Sequence, residues 1–516
     1  MLQRYAGAFM AMATAAILAA PHCAFAADLP VAPPPVKAPA MVPAPVLVPN
    51  WTGFYVNGGF GYGLWTAKST TSAQLPEPVT PFDEFRGGKG WLARVGGGFD
   101  YQFGSSIVAG AFADFDFSDL KGTIRDSVAT QSADIKQTWS WAAGARVGLL
   151  ATPEILSYVN AGFTSARFSS GTMVAYFDCA PVCGLGQPRG GQQTGYVSPA
   201  FKANGWFLGG GVESALGGGW FWRNEYRYAY YGNVAVQDLN YFAGPIPAAR
   251  LNDINFKPTV QTFTTQIAYK FNSGPVPERT PRGRGAGSWT GIHIDGGIGY
   301  GHWVADMTST QIPASLGEGA VQVTQREGGM GWLGRVGGGF DYQINRFVVG
   351  AFADFDFASL KGTLSDPVAL FSGDIKQQWS WAAGGRAGLL VTPDILAYLN
   401  GGYTSAHFSA VTLTDASAGV FSPPGSQAQT SGFTQGGWFV GAGTEYALTS
   451  ILGYQLPVRG LFWRNEYRYS DYGTHVLSVT PNAAAASVHG NSQFNDINFK
   501  PTVQTITTQL VYKFGS

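Results

Sequence analysis

The feature that most limits what this chain can fold into is a repeat. The stretch from Trp51 to Phe271 is written again, landmark by landmark, from Trp289 to Phe514. "WTGFYVNGGFGYG" (51–63) returns as "WTGIHIDGGIGYG" (289–301), and "GWLARVGGGFDYQ" (90–102) as "GWLGRVGGGFDYQ" (331–343). "AGAFADFDFSDLKGT" (109–123) returns as "VGAFADFDFASLKGT" (349–363), and "FWRNEYRY" (221–228) is repeated unchanged at 462–469. Solenoid repeats run ~20 to 50 residues. This unit is several times longer, so a whole folding unit has been duplicated. Between the copies, "NSGPVPERTPRGRGAGS" (272–288) is a linker by its Pro, Gly and Arg content.

Within each copy the hydrophobic period is two. In "WLARVGGGFDYQF" Trp91, Ala93, Val95, Phe99, Tyr101 and Phe103 share one face, while Arg94, Asp100 and Gln102 share the other. Phe115 and Phe117 point one way, and Phe112, Asp114 and Asp116 the other. A soluble β-sandwich explains alternation by packing two apolar faces together. Long strands with aromatic ends and a polar face carrying charges of both signs instead fit a barrel whose apolar face meets lipid. In hydrocarbon an open sheet edge leaves unsatisfied backbone groups, so the sheet must close.

The expected fold is therefore all-β: a transmembrane antiparallel β-barrel, as two tandem eight-stranded barrels, with one sixteen-stranded barrel as the alternative. Copy 1 covers 51–271 and copy 2 covers 289–514. Strands of copy 1 are expected to begin near Trp51, Gly90, Ile107, Ile135, Ile155, Asn204, Trp220 and Val260. Outer loops are expected at 68–87, 120–133, 169–201 and 232–253. Copy 2 lengthens one turn, 447–460, relative to 214–219 in copy 1.

Composition is unusual for a cytosolic enzyme. Charged residues are 12% of the chain, against roughly 25% in soluble proteins. The formal net charge is zero, so no global field points to nucleic acid. The start, "MLQRYAGAFMAMATAAILAAPHCAFAADLP", reads as a signal peptide (1–26) cut after Ala26, and its apolar run is shorter than the ~20 residues of a membrane helix. Residues 27–50 are a Pro/Ala-rich spacer. Cys179 and Cys183 remain, and in an exported chain they are expected to form a local disulfide; two soft ligands without a nearby His make a poorer metal site.

In a closed eight-stranded barrel the interior is just wide enough for side chains to fill it. The inward-facing charges are then each other's partners. The expected interior network is Arg94, Asp100, Asp114, Asp116, Arg146, Arg223, Glu225 and Arg227 in copy 1. Copy 2 repeats it as Arg335, Asp341, Asp354, Asp356, Arg386, Arg464, Glu466 and Arg468. The role is structural, ahead of a substrate or ion path.

"WTGFYVNGGFGYG" after "AADLP" and a Pro-rich spacer, "GWFLGGGVESAL" (205–216), "NEYRY" (224–228) and a closing "YKF" resemble the small outer-membrane β-barrel family of porin-family and outer-membrane immunogenic proteins. The resemblance covers each copy nearly end to end. It implies an eight-stranded barrel in the outer membrane of a diderm bacterium, and roles that range over surface antigen, envelope integrity, small-solute passage and, in some members, haemin binding. Such proteins usually carry one barrel and often end on an aromatic residue. Here there are two, and Phe514 is followed by Gly515 and Ser516.

Catalysis is not expected. Once the signal is removed copy 1 has no His, and GxSxG, HExxH and phosphate-loop patterns are missing from the sequence. No cofactor is expected, and His302 and His475 are read as solvated loop residues ahead of haemin ligands. The expected function is a structural or surface role in the envelope, with recognition by outer loops, and a porin passing small solutes is the alternative. The expected partners are outer-membrane lipid and lipopolysaccharide, and the barrel-assembly machinery during biogenesis; the sequence names no loop ligand.

Overall fold

The computed structural model describes residues 47–515 apart from 74–82, 105, 127–130, 176–192, 241–249, 272–275, 278–287, 312–320, 367–370, 393, 416–422, 449, 452–453, 456–459 and 490–495. The signal-peptide, linker and disulfide readings (1–26, 272–288, Cys179 and Cys183) lie wholly or largely outside the described residues.

Besides shorter strands in the loop regions (Gly171–Ala175, Gln193–Ser198 and Val234–Asn240 in copy 1), eight long strands form the wall of copy 1: β1 (Gly53–Ala73), β2 (Asp83–Phe103), β3 (Ile107–Asp126), β4 (Gln131–Thr152), β5 (Ile155–Phe168), β6 (Phe201–Gly217), β7 (Trp220–Tyr231) and β8 (Arg250–Lys270). Eight more form copy 2: β9 (Gly291–Gln311), β10 (Val321–Ile344), β11 (Phe347–Asp366), β12 (Phe371–Thr392), β13 (Ile395–Phe408), β14 (Phe433–Ala447), β15 (Leu461–Asp471) and β16 (Ile497–Lys513). Within each copy, each strand pairs antiparallel with the next. β1 then closes on β8, from Tyr55 opposite Lys270 to Ala73 opposite Asn252. In the same way β9 closes on β16, from His293 opposite Lys513 to Ser309 opposite Ile497. The chain thus makes two eight-stranded rings. A single sixteen-stranded wall would instead pair β8 with β9 and β1 with β16. One ladder bridge, Arg86 opposite Glu327, joins β2 of the first ring to β10 of the second.

The outer wall is apolar where the alternation places it. Phe54, Val56, Phe60, Trp91, Val95 and Phe103 are exposed in ring 1, as are Ile292, Ile294, Ile298, Trp332, Val336 and Ile344 in ring 2. A surface of this kind is tolerated only against lipid or a partner. On β2 it runs from Trp91 to Phe103, about 30 Å of height at ~3.4 Å per residue and ~40° tilt. That matches a hydrocarbon core and leaves the Asp83 end of the strand beyond it.

Several expected outer loops are strand instead. β1 continues to Ala73, β2 starts at Asp83 rather than near Gly90, and β4 and β8 start at Gln131 and Arg250. Polar residues there pair across the ladder: Lys68 Nζ lies 2.6 Å from Asp83, and Thr70 Oγ1 donates to the same carboxylate at 2.6 Å. Polarity alone does not end a strand that has left the membrane: its outward face meets water at Lys68 and Asp83, while Trp65, Ala67, Ser69 and Thr71 on the inward face stay buried. In copy 2 the lengthened turn carries a small ribbon, Ser450–Ile451 paired with Tyr454–Gln455. A short helix, Ala483–His489, lies in the last long loop.

The core lies inside the rings, in layers. At the short-turn end of ring 1, Trp51 packs with Val108, Leu156, Tyr158 and Phe221, and its Nε1–H donates to the Pro153 carbonyl at 2.9 Å. At the long-loop end, Trp65, Leu120, Phe168 and Phe256 form a second apolar plug. Glycine makes room for it: a Cβ on Gly88 or Gly122 would sit 2.2 Å from the Trp65 ring. Ring 2 repeats both plugs around Trp289 and Trp303.

Candidate functional site

Between the plugs each barrel holds buried charge. Period-two alternation aims β2, β3, β4 and β7 side chains inward at the same height, and the structure places their acids against their bases. Arg94 forks onto Asp116 at 2.7 and 2.8 Å and donates to Glu225 at 2.7 Å. Arg227 forks onto Asp114 at 2.8 and 2.7 Å and donates to Glu225 at 2.8 Å. The other oxygen of Glu225 accepts from the Tyr158 hydroxyl at 2.9 Å and from the Asn160 amide at 2.8 Å. Nearer the short turns, Arg146 holds Asp100 and donates to Glu213 at 2.7 Å. Arg223 reaches Glu213 at 2.9 Å. Lys270 donates to Asp100 at 2.6 Å and lies 3.2 Å from Glu213.

The second barrel repeats the arrangement. Arg335 forks onto Asp356 at 2.7 and 2.9 Å and reaches Glu466 at 2.8 Å. Arg468 forks onto Asp354 at 2.9 and 2.7 Å. Arg386 holds Asp341 and reaches Glu445 at 2.9 Å, as does Arg464. Lys513 lies 2.8 Å from both Asp341 and Glu445.

Every residue expected in the two networks is thus placed inside a barrel, in contact with an opposite charge. Four members went unread: Glu213, Lys270, Glu445 and Lys513. Glu213 has the parity of inward-facing Gly209 and Gly211, and that signal was available in the sequence. Lys270 sits at the last position of its strand, where a lone Lys reads as a side chain reaching for the interface. With them, five cations in the first barrel face five carboxylates.

Copy 2 alters this balance at two inward positions, replacing Tyr55 by His293 and Asn57 by Asp295. His293 Nδ1 lies 3.3 Å from Asp295, which is also 3.2 Å from Arg464.

Forked guanidinium–carboxylate pairs are rigid and directional, and here they leave little free volume. The gap ringed by Asp295, Phe352, Asp354, Arg386, Arg464 and Glu466 admits no water-sized sphere. Chemically, such an interior holds a wall in shape. Among the described residues no group of three His, Cys, Asp or Glu side chains is placed to hold a metal ion.

The two histidines read as solvated loop residues are placed otherwise. His302 belongs to β9 and is fully buried, packed against the first barrel, with Nδ1 3.4 Å from Thr66 Oγ1. Its outward parity looks lipid-facing or solvent-facing in the sequence, and only the neighbouring barrel buries it. His475 stacks on Phe433 at 4.2 Å, and burial there pushes its imidazole below the ordinary value.

Two closed rings with an apolar outer band and a filled, charge-paired interior define a transmembrane β-barrel protein of the outer-membrane kind. The chain belongs to the outer membrane protein beta-barrel domain family, whose profile matches it twice, at residues 38–276 and 278–514. It is similar to the 31 kDa outer-membrane immunogenic protein of Brucella melitensis biotype 1, with 29% identity over 222 residues, 42% of this chain and 85% of the relative. It is also similar to the 25 kDa outer-membrane immunogenic protein of that organism, with 29% identity over 263 residues, 51% of this chain and 97% of the relative. Among solved structures, the P. putida toluene transporter TodX aligns over 90% of this chain and 91% of its own, at 9% identity and a TM-score of 0.23.

Proposed function

We propose that this protein is a sealed double barrel that holds its long loops at the bacterial surface, serving the envelope as scaffold and surface antigen rather than as a diffusion pore. One observation carries the reading: in each lumen a layer of buried, paired charges lies between two apolar plugs. In the first barrel the filling runs from the Trp51 plug through the Arg94–Asp116–Glu225 network to the Trp65 plug. A solute would have to displace two aromatic layers and separate buried ion pairs.

The rest follows from the same reading. The first 26 residues export the chain and are removed after Ala26, the assembly machinery inserts both barrels, and the exposed band meets outer-membrane lipid and lipopolysaccharide. The loops are the recognised part, consistent with the immunogenic relatives, and catalysis has no role. Planar-bilayer recording of the refolded chain from Ala27 to Ser516 tests the reading. Protein shown to be folded and inserted should give no conductance steps. Stable, uniform steps would make it a porin.

A further inference from the structure

Strand residues that point away from a barrel interior should meet lipid or water. Leu64 and Arg125 of the first barrel and His302 and Ser365 of the second point outward and are nevertheless buried, because the other barrel covers them. Only the long-loop part of each wall is covered. Phe60 and Ile298, a few residues nearer the short turns than Leu64 and His302, are each 61% exposed.

The seam repeats itself about a pseudo-two-fold axis. Phe85 N–H donates to Thr363 Oγ1 at 2.8 Å, and Arg326 N–H donates to Thr123 Oγ1 at 3.1 Å. By the alignment of "FRGGKGW" (85–91) with "REGGMGW" (326–332), Phe85 and Arg326 are equivalent positions, and so are Thr123 and Thr363. Two tyrosine pairs are related in the same way: Tyr62 with Tyr469 at 5.7 Å, and Tyr228 with Tyr300 at 5.8 Å, both edge-on at 90°.

On such an axis a residue faces its own equivalent, and here those equivalents have opposite charge. Arg86 of copy 1 meets Glu327 of copy 2, its counterpart in the repeat, at 3.0 Å. Both are fully buried. Arg86 also holds Glu84, and Arg125 lies 3.2 Å from Glu84 and donates to Ser365 at 2.9 Å. Copy 2 carries neutral Gln325 and Ser365 where copy 1 has Glu84 and Arg125. Within one chain, then, the seam buries two arginines with two glutamates. Two first barrels joined by this face would bury four arginines with two glutamates. Two second barrels would set Glu327 against Glu327, with no Arg86 to pair either of them.

We propose that the Arg86–Glu327 pair is a sign-reversed lock: it makes each barrel the specific partner of the other and rejects pairing of like with like. Specificity of this kind comes from the penalty on the wrong partner as much as from the right contact. The two barrels therefore act as one body whose mating face is already occupied, and the protein does not assemble with further copies of itself through that face.

The test uses the full chain with a protease site inserted within residues 272–288 and an affinity tag at the C-terminus. The chain is folded in detergent, cut, and passed over resin. Copy 1 should be retained by tagged copy 2. Arg86→Glu and Glu327→Arg each set like charges together at the axis, and each should weaken retention at least about thirty-fold. The exchange Arg86→Glu/Glu327→Arg should recover at least ten-fold of that loss. Unheated gel mobility shows whether each barrel is still closed. Release of the unsubstituted halves, unchanged retention of folded single variants, or an exchange variant that folds but stays released would each overturn the lock. Should a single variant not fold, retention or release of the exchange variant decides the matter alone.

Discussion

Replacing Asp114 and Asp116 together by Ala is the sharpest test of the filled interior. Asp116 is the forked partner of Arg94 and Asp114 that of Arg227, and all four side chains are almost wholly shielded. Removing one member of a buried pair costs about 3 to 5 kcal/mol, because the remaining charge stays desolvated without its partner. Both arginines keep Glu225, so the two losses overlap and do not simply add. We expect the first barrel to lose about 5 kcal/mol, its interior left with five cations and three carboxylates. The assay is equilibrium denaturant unfolding in phospholipid vesicles, followed by the shift of each half on unheated gels after cleavage in the linker. The second barrel keeps Asp354 and Asp356 and serves as the internal reference. An unfolding free energy within about 1 kcal/mol of the unsubstituted protein would refute the claim that these carboxylates hold the interior together.

Three further perturbations give distinct outcomes in the same unfolding assay. Trp51→Ala removes the ring under Lys270, which lies 4.5 Å from its centroid, together with the bond to Pro153, and should cost about 3 to 5 kcal/mol. Val95→Arg sets a charge in the middle of the exposed band of β2 and should cost about 2 to 4 kcal/mol in a bilayer; no change would mean that this face does not meet lipid. His293→Tyr/Asp295→Asn gives the second barrel the interior residues of the first, and should leave stability within about 1 kcal/mol, whereas Asp295→Asn alone, which takes a carboxylate from Arg464, should be the less stable of the two.

How much of this was legible in the sequence depends on what each residue's surroundings are made of. Where a side chain's neighbours lie on its own strand and the next, parity was enough: the side of the wall taken by Asp114, Asp116 and Phe117 follows from counting by two. Strand ends were harder, since Lys68 and Asp83 look like loop residues until the ladder sets them 2.6 Å apart. Lys270 was missed because an inward charge at a strand end has the same pattern as a snorkelling one. The seam was not legible at all. Leu64, Thr66 and His302 carry outward parity, and nothing within one copy says that a second barrel will cover them. The opposite signs at positions 86 and 327 were visible in the aligned repeats, but they gain meaning only when the fold sets those positions face to face.

The central claim is that the chain closes twice, and cysteine cross-linking between terminal strands tests it most directly. In two rings Val56 lies opposite Tyr269, with Ile294 and Tyr512 as their counterparts in the second ring. In one sixteen-stranded wall Tyr269 would instead face Ile294. With Cys179 and Cys183 replaced by Ser, the folded Val56→Cys/Tyr269→Cys chain should form an intramolecular disulfide on mild oxidation, and the Tyr269→Cys/Ile294→Cys chain should not. The reverse pattern would contradict the account.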